Sequence, residues 1–191
     1  MTQASKAGLP AGEGATGGGQ VAQYLTFTLS GDLFGMPIQH IREIIEYGVV
    51  TPVPMMPAAV RGVINLRGAV VPVVDLSVRF GREPTAVGKR TCIVIIENVT
   101  LEDTDEEGHY LGIIVDAVNE VLDISSENIE DAPSFGVKIR TDFIQAMGKV
   151  DGRFVILLDV ARVLSVEEIA QLASRGTDTV AAAAQAETSA A

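Results

Sequence analysis

The chain has 191 residues, 47% of them hydrophobic and 20% charged, with a formal net charge of −11 at pH 7. That composition supports a packed core and excludes a disordered chain, and the acidity argues against nucleic acid or an anionic membrane as partner. No apolar run approaches the roughly 18 residues that span a bilayer, the start reads unlike a signal peptide, and the single Cys92 excludes an internal disulfide; a cytoplasmic protein with no direct membrane insertion is expected.

In chain order, residues 1–20 hold six glycines and no periodicity, the pattern of a disordered tail. Gln23–Leu29 alternates Tyr/Thr/Thr with Leu/Phe/Leu, as a half-buried strand does. Ser30-Gly31-Asp32 is a turn into a second extended stretch, Leu33–Ile38, whose Pro37 suits a strand end or a sheet edge. Ile41–Tyr47 has apolar residues at helical spacing, yet its β-branched residues and strand-like flanks favour an extended reading. Thr51–Pro57 holds three prolines and two methionines, so it is an extended loop with exposed Met. Val60–Leu66 and Val70–Val74 read as strands joined by a tight turn at Arg67-Gly68.

Asp75 and Asp159 each end an apolar strand and open a short helical stretch, where a carboxylate can cap free N–H groups. Further strands are expected at Thr91–Glu97, Tyr110–Val115, Val118–Asp123, Phe143–Val150 and Phe154–Leu158. Between the first two lies an acidic loop, Thr100–Gly108. Ser165-Val166-Glu167-Glu168 is a capping box opening a terminal helix at 166–174, and residues 176–191 form a second tail.

Two stretches recur in order. Gly35–Glu46 reads against Gly112–Asp123 (112 − 35 = 77), and Gly68–Leu76 against Gly152–Val160 (152 − 68 = 84). About eighty residues are therefore duplicated, and a twofold module with a seam offers a groove for a partner. The copies differ in charge. Val21–Val99 holds seven Lys/Arg and six Asp/Glu (7 − 6 = +1), whereas Thr100–Arg175 holds six and sixteen (6 − 16 = −10). Two related modules with different surfaces are expected to bind different things. Many short strands and few helices predict an all-β domain of two small barrels.

Groups for catalysis are sparse. His40 and His109 lie in no metal-spaced motif, and no nucleophile elbow or phosphate loop is present. Cys92 lies in an apolar strand, where a thiol is more often inert than nucleophilic. Asp75 and Asp159 read as caps rather than as a carboxylate pair. Glu43 and Arg67 interrupt apolar segments; they are a salt bridge or two solvated side chains with no further role, or else the polar frame of a contact site.

The segments Val60-Arg61-Gly62-Val63-Ile64-Asn65-Leu66-Arg67-Gly68, Val71–Leu76, Gly112–Val118 and Ala132-Pro133-Ser134-Phe135 resemble the CheW family of bacterial chemotaxis coupling proteins. The resemblance runs from about Gln23 to Leu172. It implies one CheW-like domain at 21–175, made of two SH3-like five-stranded β-barrel subdomains at roughly 21–88 and 89–165. It implies a non-enzymatic adaptor without cofactor or metal. Its partners would be the cytoplasmic tip of a methyl-accepting chemotaxis receptor and the regulatory domain of a CheA-type histidine kinase, in arrays to which the adaptor is recruited. Carried over by position, the partner-binding residues are Ile41, Glu43, Gly62, Arg67, Cys92 and Val121. The long acidic loop and extended tails leave room for a parallel, non-flagellar chemosensory kinase system. The other readings are a detached peptide-binding module and a small enzyme acting through Cys92 or Asp75.

Overall fold

The structure, a computed structural model, describes residues 19–97, 110–133 and 139–165. The acidic loop, Ser134-Phe135, the terminal helix and nearly all of both tails lie outside the described residues. Among the described residues, eleven strands and two short α-helices follow in order: β1 (Val21–Leu29), β2 (Asp32–Pro37), β3 (Ile41–Glu46), β4 (Val60–Leu66), β5 (Ala69–Asp75), α1 (Leu76–Arg79), β6 (Cys92–Glu97), β7 (Tyr110–Val115), β8 (Ala117–Ser125), β9 (Ile129–Glu130), β10 (Ile144–Val150), β11 (Arg153–Leu158) and α2 (Val160–Val163). The ambiguous stretches around Ile41 and Val118 are strands, as expected. The two-residue β9 has no clear sequence signal.

The strands form two sheets, ordered β8-β1-β2-β11-β10-β9 and β3-β6-β7-β5-β4. This corrects the expected division into consecutive halves at 88/89. The first sheet takes β1 and β2 from the first half and the rest from the second; the other sheet draws β6 and β7 from beyond that boundary. The physical cause is pairing direction. β2 lies parallel to β11 and β5 parallel to β7, and a parallel neighbour cannot be reached by a hairpin, so a strand from far along the chain supplies it.

The duplication is visible in the register. Exchanging β1, β2, β3, β4 and β5 with β6, β7, β8, β10 and β11 turns one five-strand order into the other. Gly35 pairs with Leu157, and its counterpart Gly112 pairs with Val73, the counterpart of Leu157. Bulges recur at Val60/Gly62 and Ile144/Ala146. Both hairpins turn through two positive-φ residues, Arg67-Gly68 (φ 50, 91) and Asp151-Gly152 (φ 49, 76), the conformation that matches strand twist.

Central strands are buried on both faces, so their apolar residues divide between layers. Val71, Val73, Ile93, Ile95 and Ile114 fill the interior of the β3–β7 sheet. Tyr24, Ile124, Ala146, Val155 and Leu157 fill the other. The opposite faces, with Leu25, Phe27, Phe34, Val94, Ile113 and Leu158 among them, meet in the largest core between the sheets. Thr26, expected on a solvated face of β1, is buried, and its hydroxyl donates to the Glu120 carbonyl at 2.7 Å. Phe27, Phe34, Phe80 and Phe143 continue the central core as a chain of rings with centroids 5.6–6.1 Å apart. Arg79, buried at the end of α1, donates to the Val163 carbonyl of α2 at 3.0 Å, tying the copies together.

Candidate protein-binding surface

The β3–β7 sheet curls until its edges meet. Thr51, just past β3, exchanges two 2.9 Å backbone hydrogen bonds with Val63 of the opposite edge strand β4. Gly62 permits this closure. Its φ is +147°, and a Cβ there would lie 2.1 Å from the Thr51 carbonyl oxygen. Gly62 is itself buried, so its contribution to a binding surface is the shape of the closed edge. Such a glycine is legible in sequence as a residue type but not as a contact, because Thr51 approaches from the segment that follows β3.

Arg67, in the β4–β5 turn, crosses the same gap to Glu43 on β3. Its two terminal nitrogens meet the two Glu43 oxygens at 3.0 Å each, a bidentate geometry. The Arg67 side chain is 75% exposed and that of Glu43 22% exposed. A pair this open contributes about 0–1 kcal/mol to stability, so its larger value lies in presenting a fixed guanidinium at the surface.

The remaining predicted residues scatter. Ile41 is half-buried against the central core. Cys92 is half-buried at the start of β6, opposite Glu46, and its thiol faces the Arg90 carbonyl at 3.3 Å. Val121 is 43% exposed on β8, in the other sheet. Glu43, Gly62 and Arg67 therefore gather at one closed edge, with Ile41 on the same strand as Glu43, while Val121 lies in the sheet built mainly from the second copy.

The duplication relates these two places. Val121 occupies the position of Ile44 (121 − 44 = 77), and both are exposed, at 43% and 41%. Phe154 occupies the position of Val70 (154 − 70 = 84), and both are exposed, at 51% and 69%. Each copy thus shows the same apolar pair, which lone-strand patterns do not single out but the internal alignment does. Ile44 lies opposite Val94 and Val121 opposite Leu25. Since Val94 and Leu25 belong to the core between the sheets, Ile44 and Val121 lie on the outer margins of the seam. The charges differ: Glu43 and Arg67 correspond to Glu120 and Asp151, an acid–base pair against two acids. The proline loop adds Val49 and Met55, 90% and 89% exposed, and residues 47–60 carry no charge.

Asp75 and Asp159 act as caps. Asp75 accepts from the Ser77 amide at 3.0 Å, and Asp159 from the Arg162 amide at 3.1 Å. Among the described residues, no three His, Cys, Asp or Glu side chains group to hold a metal, and no helix is long and apolar enough to cross a membrane.

Two sheets of matching strand order, joined through a shared core and one of them closed at the Thr51–Val63 edge, define a CheW-like domain, and the family model of that description matches residues 23–168. The chemotaxis protein CheW of Klebsiella aerogenes is 33% identical over 148 residues, which cover 78% of this chain and 84% of that protein. The CheW of Rhizobium meliloti is 31% identical, over 80% and 92%. The crystal structure of the scaffolding protein CheW of Thermoanaerobacter tengcongensis superposes with a TM-score of 0.66 at 30% identity, covering 78% of this chain and 90% of that one. The chain belongs to the CheW family.

Proposed function

We propose that the chain is a chemotaxis adaptor that joins the cytoplasmic tip of a methyl-accepting receptor to a CheA-type histidine kinase by binding both, without chemistry of its own. The observation that carries this reading is the duplicated apolar pair with altered charge. Ile44 and Val70 accompany Glu43 and Arg67 in one copy, and Val121 and Phe154 accompany Glu120 and Asp151 in the other. A few desolvated apolar anchors with flanking charges suit specific association, and two faces of one shape but different charge suit two partners. The seam between the sheets, with apolar margins, fits one face of a helical hairpin. Receptor state would pass to the kinase as coupling between two binding equilibria.

The test is Arg67→Glu, which sets two carboxylates against each other where a bidentate pair now stands. Co-sedimentation with receptor-containing membranes and purified kinase should show ternary assembly reduced at least about tenfold, the equivalent of 1.4 kcal/mol. Circular dichroism should show the fold retained. Unchanged assembly by this variant would remove the closed edge from the binding surface.

A further inference from the structure

A pocket of 220 Å³ opens beside the start of α2, lined by Pro37, His40, Gln145, Leu158, Asp159 and Val160. The other copy shows what belongs in such a place. There the counterpart of Asp159 is Asp75, and the counterpart of Gln145 is Arg61, each 84 residues earlier (159 − 75 and 145 − 61), the offset of the two hairpins. Arg61 donates through Nε to the Asp75 carboxylate at 3.2 Å and through a terminal nitrogen to the Thr85 carbonyl at 2.8 Å. Thr85 adds its own amide and hydroxyl to that carboxylate, both at 2.9 Å. The Asp75 side chain is fully buried as a result, at 0% exposure.

In the second copy the carboxylate remains and the arginine is gone. Gln145 has no positive charge and is exposed, and the Asp159 side chain is 33% open to solvent. His40, at the pocket wall, is the counterpart of Ala117 (117 − 40 = 77), so a polar imidazole stands where the other copy has a small buried apolar residue. Arg162 approaches the Asp159 carboxylate only at 3.5 Å and is itself 64% exposed. That is longer than the about 2.7–2.9 Å of a charge-assisted bond, so it is readily displaced. The cavity is smaller than the roughly 300 Å³ at which small-molecule sites begin, a volume that suits one side chain.

We propose that this pocket receives a guanidinium group, the arginine side chain of a protein partner, with Asp159 as its carboxylate and with the ligand standing where Arg61 stands in the other copy. The pocket shares no lining residue with the Glu43–Arg67 pair, and its test does not depend on that reading. The full chain is titrated with Nα-acetyl-arginine methylamide, and with the matching citrulline and lysine compounds, while amide NMR shifts are followed. Saturable shifts at His40, Asp159 and Val160 are expected for the arginine compound, in the millimolar range that a single charged side chain supports. Citrulline and lysine should bind at least about tenfold more weakly.

Gln145→Arg should fill the pocket from within, as Arg61 does in the other copy, and abolish the response. Asp159→Asn keeps the oxygen that caps Arg162 and removes the charge, so it should abolish the response in a folded protein even if Gln145→Arg does not fold. No saturable shift, equal binding of citrulline, or full binding by Asp159→Asn would overturn the site. Free arginine binding roughly tenfold tighter than the blocked compound, or binding strengthened by Arg175→Ala, would overturn the partner as source, in favour of a free amino acid or of the chain's own arginine.

Discussion

Replacing Gly62 by Ala tests how the binding edge is built. The new Cβ would meet the Thr51 carbonyl oxygen at 2.1 Å, its carbon at 2.7 Å and the Pro52 Cα at 3.0 Å, all backbone atoms that no rotamer change can move away. The chain escapes only by opening the Thr51–Val63 bridge. That forfeits two hydrogen bonds of about 0.5–1.5 kcal/mol each. An alanine held at φ +147° adds strain of about 1–3 kcal/mol. The sum is roughly 2–5 kcal/mol once partial relaxation is allowed, or a Tm lower by about 5–15 °C. Gly68→Ala is the control. It also has positive φ, at +91°, but nothing lies within 4 Å of its Cβ, so it should lose only the strain component of about 1–2 kcal/mol. Urea unfolding of both variants reads the difference. If Gly62→Ala is no less stable than Gly68→Ala, the close approach of Thr51 does not hold the edge together. The same opening should loosen Arg67 from Glu43 and weaken partner binding at temperatures where the domain is still folded.

The two aspartate caps should separate sharply in urea unfolding. Asp75→Asn disturbs a buried carboxylate that accepts from Ser77, Thr85 and Arg61, and should cost about 3–5 kcal/mol. Asp159→Asn, at a half-exposed cap, should cost about 1 kcal/mol or less; equal losses would contradict the asymmetry between the copies. Arg67→Glu should lower stability by no more than about 1 kcal/mol, given the exposure of the pair, while its effect on assembly is far larger. A loss of stability matching the loss of binding would make Glu43–Arg67 a structural contact only.

The sequence carried local features well. The Arg67-Gly68 turn, the caps at Asp75 and Asp159, and the extended stretches around Ile41 and Val118 all depend on short-range chemistry, whereas the Glu43–Arg67 pair spans opposite sheet edges and residue type alone left it open. Which strands become neighbours is another matter. Alternation in β7 shows that Leu111 and Ile113 share a face, but not that β7 lies beside β5, because a parallel pair leaves no hairpin signature. The duplication was legible, and taking it as two consecutive barrels assigned β1–β2 and β6–β7 to the wrong sheets. Thr26 was misread for a related reason: alternation identifies faces, and β1 is covered on both. Val70 and Phe154 follow hairpin turns and look like ordinary strand residues until the two copies are superposed.

The central claim is that two matching faces hold two different partners. The most direct measurement is pairwise binding of receptor fragment and kinase regulatory domain, by isothermal titration, to Arg67→Glu and to Phe154→Glu. Arg67→Glu should lose one partner and keep the other, and Phe154→Glu should do the reverse, with both proteins folded. Loss of the same partner by both variants, or of neither, would contradict the account.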